Sequence, residues 1–316
     1  MSEATGEPTL DLSFGRQEFR IGNGFLIYDR DLDQLEKNAS WLSPRDSFER
    51  AGLVRLDMAP AHADLFYLNA DRDHDETALA GFNFEYAFQD PTRVGFTYLY
   101  IFDSTPRFWG VRAGMNVLDL RVNELPLPYL PEISFSGEQV KEIGDGKDGE
   151  IDAEGWYAGL TYAPAEWPWT PSLSYRYSSF SADPDPNDTI RRDFDPPFYG
   201  WTGWGTWYQG EITGEWLLFN SNQRTNLVHL KLAPREDLSV GILYFKFWLA
   251  DNDYLGTPVT DGDFTDEVNL YADWTLTDYA SISAVYGAAF PGEAARQAFG
   301  DDEVYHLFEV VLYLTF

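Results

Sequence analysis

Cysteine is absent from this 316-residue chain, so neither a disulfide framework nor a thiolate metal site is available to it. Long apolar runs are absent too: no stretch of about 18 apolar residues could serve as a spanning helix, and any membrane crossing has to be made by strands. Basic residues are scarce, with 22 Lys and Arg against 52 Asp and Glu and a formal net charge of −30. That balance excludes the basic face that binding a nucleic acid backbone requires. Only four histidines occur, His62, His74, His229 and His306, and they are dispersed. Without cysteine they make no zinc pattern. The start, Met1 to Pro8, has no basic n-region and no apolar h-region, so no signal peptide is present. If the chain crosses a membrane as a strand-built barrel, either a leader has been removed or the chain is a fragment. Length alone allows one large unit or two ordinary domains.

What the chain has in quantity is alternation with a period of two. Aromatic residues make up 17% and hydrophobic residues 44% of the chain, and they recur at every other position over segments of about ten residues, the length of a tilted strand that crosses a bilayer. In the last segment His306, Phe308, Val310, Leu312, Leu314 and Phe316 form a nearly apolar face, opposed by the mixed set Tyr305, Leu307, Glu309, Val311, Tyr313 and Thr315. Phe82, Phe84, Tyr86 and Phe88 oppose Gly81, Asn83, Glu85 and Ala87 in the same way, and Val94, Phe96, Tyr98, Tyr100 and Phe102 oppose Arg93, Gly95, Thr97, Leu99 and Ile101. Segments from Trp156 to Tyr162 and from Val268 to Trp274 repeat the pattern. One face suits lipid and the other water.

This pattern predicts an all-β fold, a transmembrane antiparallel β-barrel of about 14–18 strands making a single domain over residues 1–316. A soluble β-sandwich also alternates, but its solvent face carries many Lys and Glu, whereas here the polar face is mostly Gly, Ser, Thr, Asn and Tyr with scattered charges. Tight turns at Ala59-Pro60, Asp90-Pro91, Pro234 to Asp237 and Thr277-Asp278 alternate with long polar connections at Asp29 to Glu49, Asp251 to Asp266 and Pro291 to Asp302. Short periplasmic turns and longer external loops are the outer-membrane arrangement. The acidic residues sit largely in connections such as Asp71 to Glu76, Asp145 to Asp152 and Asp183 to Asp195, where charge keeps loops solvated.

Parity tests the strand assignment. The turns at Asp90-Pro91 and Pro234 to Asp237 both look periplasmic, so an even number of strands must lie between them. The predicted set is odd: Thr92–Phe102, Val111–Val122, Ile133–Val140, Glu154–Ala163, Ser172–Phe180, Tyr208–Phe219 and Asn226–Leu232. Either Ile133–Val140 lies in a loop or the stretch around Phe198–Trp204 contributes a strand. Earlier strands are predicted at Leu10–Phe14 and Phe19–Tyr28. With a first strand so close to Met1 and no partner before it, a missing N-terminal strand or two is inferred, because an open edge in lipid leaves backbone groups unsatisfied.

No catalytic constellation stands out, and neither enzyme chemistry, a metal nor a cofactor is expected. Asp145, Lys147 and Gly149 fail the calcium-loop spacing, as do Asp251, Asp253 and Leu255. Glu211 and Glu215, read on a strand, face the same side about 13 Å apart, too far for a glycosidase pair, and are taken as lining. The informative charges are basic residues inside strands. Arg55, Arg93, Arg112, Arg176 and Lys231 fall on the inward register, and Arg121 joins them after a register change near Leu118. A charge on the lipid face costs about 2 to 4 kcal/mol near the midplane, so these residues face the interior. There they either brace the wall against Asp57, Glu85, Asp119, Glu211 and Glu215 or form a ladder along which an anionic solute passes, and both roles can coexist. The long segment Asp183 to Trp204, with four prolines and four large aromatics, is expected to act as a gate across a mouth of the pore.

Several blocks resemble a known family. Gly15-Arg16-Gln17, Gly22-Asn23-Gly24-Phe25-Leu26-Ile27 and Trp41-Leu42-Ser43-Pro44-Arg45 are similar to the early part of alginate-export outer-membrane barrels. So is Phe194-Asp195-Pro196-Pro197-Phe198-Tyr199-Gly200-Trp201, running into Gly205 to Ile212. The ending, with Leu312, Leu314 and Phe316, resembles the terminal signal that barrel-assembly machinery reads in its clients. The resemblance implies a monomeric barrel of about 18 strands in outer-membrane lipid, with a basic constriction that passes a polyuronate by diffusion. The acidic balance departs from that pattern, although loop charge more than about 8 Å away is largely screened. The alternatives are a general or sugar-selective uptake porin and a surface adhesin whose aromatic segment, Asp183 to Tyr208, grips glycans.

Overall fold

The structure, a computed structural model, describes residues 8–28, 48–70, 77–105, 110–146 and 149–315. Its strands are β1 (Thr9–Gln17), β2 (Phe48–Met58), β3 (Ala61–Asn69), β4 (Ala78–Gln89), β5 (Thr92–Asp103), β6 (Met115–Leu127), β7 (Leu130–Gly146), β8 (Gly149–Tyr162), β9 (Ser172–Phe180), β10 (Ile190–Arg191), β11 (Gln223–Arg235), β12 (Leu238–Leu249), β13 (Asp253–Tyr254), β14 (Thr257–Pro258), β15 (Asp263–Thr277), β16 (Ala280–Pro291) and β17 (Tyr305–Leu314). A π-helix covers Gly210–Leu218 and a short α-helix, α1, covers Glu293–Phe299. Among the described residues one 15-stranded sheet takes in β1 to β9, β11, β12, β15, β16 and β17 in chain order, with β10 added beside β8. The β13–β14 hairpin stands apart from it.

Most long strands hide one face and show the other, whereas β1 and β17 bury no residue. On β5, Thr97, Leu99 and Ile101 are fully buried, while Val94, Tyr98 and Phe102 are exposed. On β17 the outer residues Phe308, Val310, Leu312 and Leu314 are 72%, 56%, 53% and 54% exposed, which in water would be a large apolar patch and in lipid is the expected surface. Two-residue turns join β2 to β3, β4 to β5 and β15 to β16, whereas β9 to β11 and β12 to β15 are linked by long excursions. The residues fall into two compact units. Unit 1 holds Met1–Leu125, Glu138–Gly155 and Asp185–Trp207, with a core around Phe25, Phe48, Phe194 and Trp207; unit 2 holds Pro126–Gly137, Trp156–Pro184 and Tyr208–Phe316, with a core around Phe180, Phe245, Phe247 and Phe264.

Parity is restored, though by neither of the two routes foreseen. Ile133–Val140 is the middle of β7, and Phe198–Trp204 adds only an isolated parallel bridge between Phe198 and Ile27. The false strand is Tyr208–Phe219, most of which is the π-helix. Gly210 takes φ +80°, which ends any strand, and a Cβ on Gly214 would lie 2.1 Å from the Gln209 carbonyl oxygen, the acceptor of the Gly214 N–H. The alternation there is real but reports helical packing around two glycines. Without it, β5, β6, β7, β8, β9 and β11 lie between the two turns, an even set.

Three further expectations are corrected. Phe19–Tyr28 is no strand: it turns back on itself through Gly22 and Gly24, both with positive φ, and its side chains Phe19, Ile21, Phe25, Leu26 and Ile27 are buried. β6 begins at Met115, so Arg112 precedes the strand, and Arg121 needs no register change, because the pairing from Tyr100–Asn116 to Arg93–Asn123 runs unbroken. The acidic run Asp145 to Asp152 belongs mainly to the tips of β7 and β8. Asp71 to Glu76, His74, Trp41 to Arg45, Lys147 and Phe316 lie outside the described residues.

Candidate functional site

In unit 1 the inner wall of β2 to β6 carries a charged network. The Arg121 guanidinium, 5% exposed as a residue, donates from Nη1 to Asp119 at 2.5 Å and to Thr97 at 2.8 Å, and from Nη2 to Asn83 at 2.5 Å and Glu85 at 2.7 Å. Gly95 stands opposite Arg121 in the register, and a Cβ there would lie 2.5 Å from the guanidinium carbon. Glycine therefore opens the slot in which the group lies flat. Asn83 in turn donates to Asp64 at 2.9 Å, and His62 meets Asp64 at 2.9 Å and Asp57 at 2.6 Å. Arg55 is half-buried, 3.7 Å from Asp64, with its guanidinium 6.0 Å from the Phe19 ring centre. A buried guanidinium with four acceptors is satisfied and held.

A second lock secures the segment that precedes the π-helix. Arg112 is 1% exposed; it pairs with the buried Asp195 and donates to the carbonyls of Pro196 at 3.1 Å and Pro197 at 3.2 Å. The Asp195 N–H donates to Glu142 on β7 at 3.0 Å. Phe194 lies over Gly155 of β8, where a Cβ would be 2.6 Å from the ring, and its ring centre is 6.1 Å from that of Phe25. Phe198 exchanges backbone bonds with Leu26 and Tyr28 at 2.9 and 2.7 Å, and Trp207 donates to Asn23 at 3.0 Å. The second half of the Asp183 to Trp204 segment is thus packed against the inner side of the wall.

In unit 2 the Glu267 carboxylate caps the π-helix. It accepts the N–H groups of Ile212 at 3.1 Å and Thr213 at 2.8 Å, which have no partner in the first turn. An anion at a helix N-terminus also meets the favourable end of its dipole. Burial pushes the neighbouring Glu211 carboxyl up to about 8, and Glu267 and Glu309 add to the rise. The strand reading of Glu211 and Glu215 as evenly spaced lining therefore fails: Glu211 is buried under the cap of a helix. Glu267→Ala is expected to lower unfolding free energy by about 1–3 kcal/mol, since the Ile212 and Thr213 N–H groups and the Asn269 amide lose their acceptor. Glu211→Gln, which leaves a neutral group where the acid already holds its proton, should change it little. Urea titration of heat-modifiable mobility reads both.

The other basic residues fall elsewhere on the inner faces. Arg176 on β9 is half-buried, opposite Leu227, and donates to Gln209 at 3.1 Å; Lys231 on β11 and Arg93 at the turn end of β5 are exposed. The structure thus brings Glu85 to Arg121 and leaves Arg55, Arg93, Arg176 and Lys231 spread over different strands. Among the described residues no group of three or more His, Asp or Glu is placed to hold a metal ion. Sequence reasoning missed Asp195, Glu142 and Glu267 as partners. Glu138, Val140 and Glu142 share the buried face of β7, so carboxylates on a buried period-two face were the signal available.

Comparison with known proteins completes the picture. No curated protein matches the chain by sequence. Among solved structures it resembles OprE (OccK8) of Pseudomonas aeruginosa, at 11% identity over 96% of this chain and 78% of that one, with a TM-score of 0.58. OccAB1 of Acinetobacter baumannii follows at 12% identity, 97% and 74% coverage and a TM-score of 0.57, and OprD of P. aeruginosa at 13%, 87% and 72% with 0.55. At such identities the likeness shows the fold, a transmembrane antiparallel β-barrel. The sequence profile described as alginate export matches residues 2–307. With that profile spanning nearly the whole chain and the fold of outer-membrane proteins beneath it, the chain belongs to the alginate export family and is a pore of the bacterial outer membrane.

Proposed function

We propose that this pore passes an anionic oligo- or polysaccharide, an alginate-like polyuronate, by passive diffusion, with the chain acting as a single barrel domain and a monomer. The observation that carries the reading is the set of cationic side chains that inner faces leave accessible, Arg55, Arg93, Arg176 and Lys231, in a chain matched by the alginate export profile. Arg112 and Arg121, engaged in buried pairs, brace the wall instead. Guanidinium groups bind carboxylates in two-point contacts, so a uronate chain gains where a neutral sugar does not. In planar bilayers the pore should conduct, and a defined trimannuronate should block its current more strongly than mannotriose. Equal block by both would replace this reading with the second one, a general or sugar-selective uptake porin, which the acidic surplus of the chain favours. A conductance near zero would point to the glycan-binding adhesin.

We also infer that the sequence ending that contains Leu312, Leu314 and Phe316 is the mark read by the barrel-assembly machinery. Leu312 and Leu314 are exposed on the outer face of β17. Phe316→Asp should leave synthesis intact while the heat-modifiable folded form disappears from membranes. A normal folded band from that variant would remove the inference.

A further inference from the structure

Beyond the basic wall, one surface of unit 1 combines aromatic rings with a cation. Trp201 and Trp204 meet edge to face, with ring centres 5.7 Å apart, and both are half-exposed. Gly203 lies between them in the chain, and apart from its two chain neighbours no atom comes within 4 Å of where a Cβ on it would stand. The turn that carries them is held from several sides. The Thr206 hydroxyl donates to the Gly203 carbonyl at 2.6 Å and accepts the Thr202 N–H at 3.0 Å, and the Thr202 hydroxyl donates to the Asn23 carbonyl at 2.8 Å. Next to this turn, Gly200 lies against the Tyr28 ring, where a Cβ would be 2.3 Å away. Over the Tyr28 ring, 5.5 Å from its centre, sits the guanidinium of the exposed Arg20.

We propose that Trp201, Trp204 and Tyr28 form a stacking platform for a sugar ring of the transported saccharide, with Arg20 taking the carboxylate of a uronate unit. The proposal rests on the anionic-saccharide reading and deepens it by naming where a ring is held. Half-buried aromatic rings at a wet surface present an apolar face that the C–H side of a pyranose can cover, and their polar edges stay in water. A turn already fixed by hydrogen bonds loses little freedom on binding. Charge supplies the rest, because a cation beside the rings discriminates a uronate from a neutral hexose. Packing of the tryptophans against each other alone would account for their contact, but not for the guanidinium over the adjoining Tyr28 ring.

The test uses the whole chain in planar bilayers, with trimannuronate and mannotriose as probes and the dwell time of each blockade as the readout. Trp201→Ala with Trp204→Ala should shorten both dwell times on the order of tenfold, two stacking contacts being lost. Trp201→Phe with Trp204→Phe should restore most of the dwell, and Arg20→Gln should shorten it for trimannuronate alone. Unchanged open-channel conductance confirms that each variant has folded; the Phe pair serves if the Ala pair has not. Should the wild-type pore be blocked by trimannuronate while the Ala pair keeps its dwell time, the platform is overturned and the anionic reading stands. Should trimannuronate fail to block the wild-type pore, the anionic reading falls and this inference with it.

Discussion

Arg112→Leu is expected to destabilise the folded barrel by about 3–5 kcal/mol, the range for removing one member of a buried ion pair, and to lower mean single-channel conductance with added flicker. Leucine fills part of the volume but leaves Asp195 buried without its paired guanidinium, and it frees the carbonyls of Pro196 and Pro197. The segment from Phe194 to Phe198 would then keep its aromatic packing on Gly155 and Phe25 while losing its electrostatic anchor. A segment released on one side samples positions away from the wall, and therefore in the lumen, which is how a gate expected from Asp183 to Trp204 would close. Asp195→Asn should do less, since the amide still accepts from Arg112. The urea midpoint of heat-modifiable mobility measures the first effect and bilayer recording the second. Wild-type conductance in a clearly destabilised Arg112→Leu barrel would show that the segment fills space without gating.

Replacing Arg55, Arg93, Arg176 and Lys231 together with Gln should shift the reversal potential toward cations and weaken trimannuronate block at least about tenfold. Opposite charges 4 Å apart gain about 4 kcal/mol at an effective dielectric of 20, so a few cations at the wall outweigh a larger number of acids in distant loops. Glutamine keeps length and hydrogen bonding while removing charge. Folding should survive, because none of the four has the complete set of buried acceptors that Arg121 has. Mannotriose flux should stay near wild type. An unchanged ion preference and an unchanged uronate block would assign these side chains to bracing alone.

The strands were legible because lipid and interior act on successive residues in turn. On β4, β5, β15 and β17 every second position answers to one of two solvents, and a slip of one residue would put Asn83, Thr97 or Asn269 into lipid. The interior segments were not legible in that way. Phe194, Asp195 and Phe198 are buried on a wall by an irregular chain, which leaves no period to detect. The π-helix misled because Gly210, Ile212, Gly214 and Trp216 alternate with polar residues as a strand would, while the glycines that mark its turns resemble the small residues of a crowded inner face. Arg112 was placed on a strand by extending β6 too far, and that one misplacement created the apparent register change before Arg121.

The segment from Asp193 to Trp207 finds its supports in parts of the chain already behind it. Asn23, Leu26, Phe48, Arg112, Glu142 and Gly155 all precede it, whereas β11 to β17 follow it. In a polypeptide made from its N-terminus the receiving surface is thus complete before the inserted piece emerges, and the strands that come afterwards need not be disturbed to admit it. Circular permutation tests what that order is worth. A chain opened at the Asp278-Tyr279 turn makes only β16 and β17 before the supports and the insert, while one opened at Glu236-Asp237 delivers Asp193 to Trp207 after β12 to β17 have already been synthesised, with only the π-helix and β11 still to come.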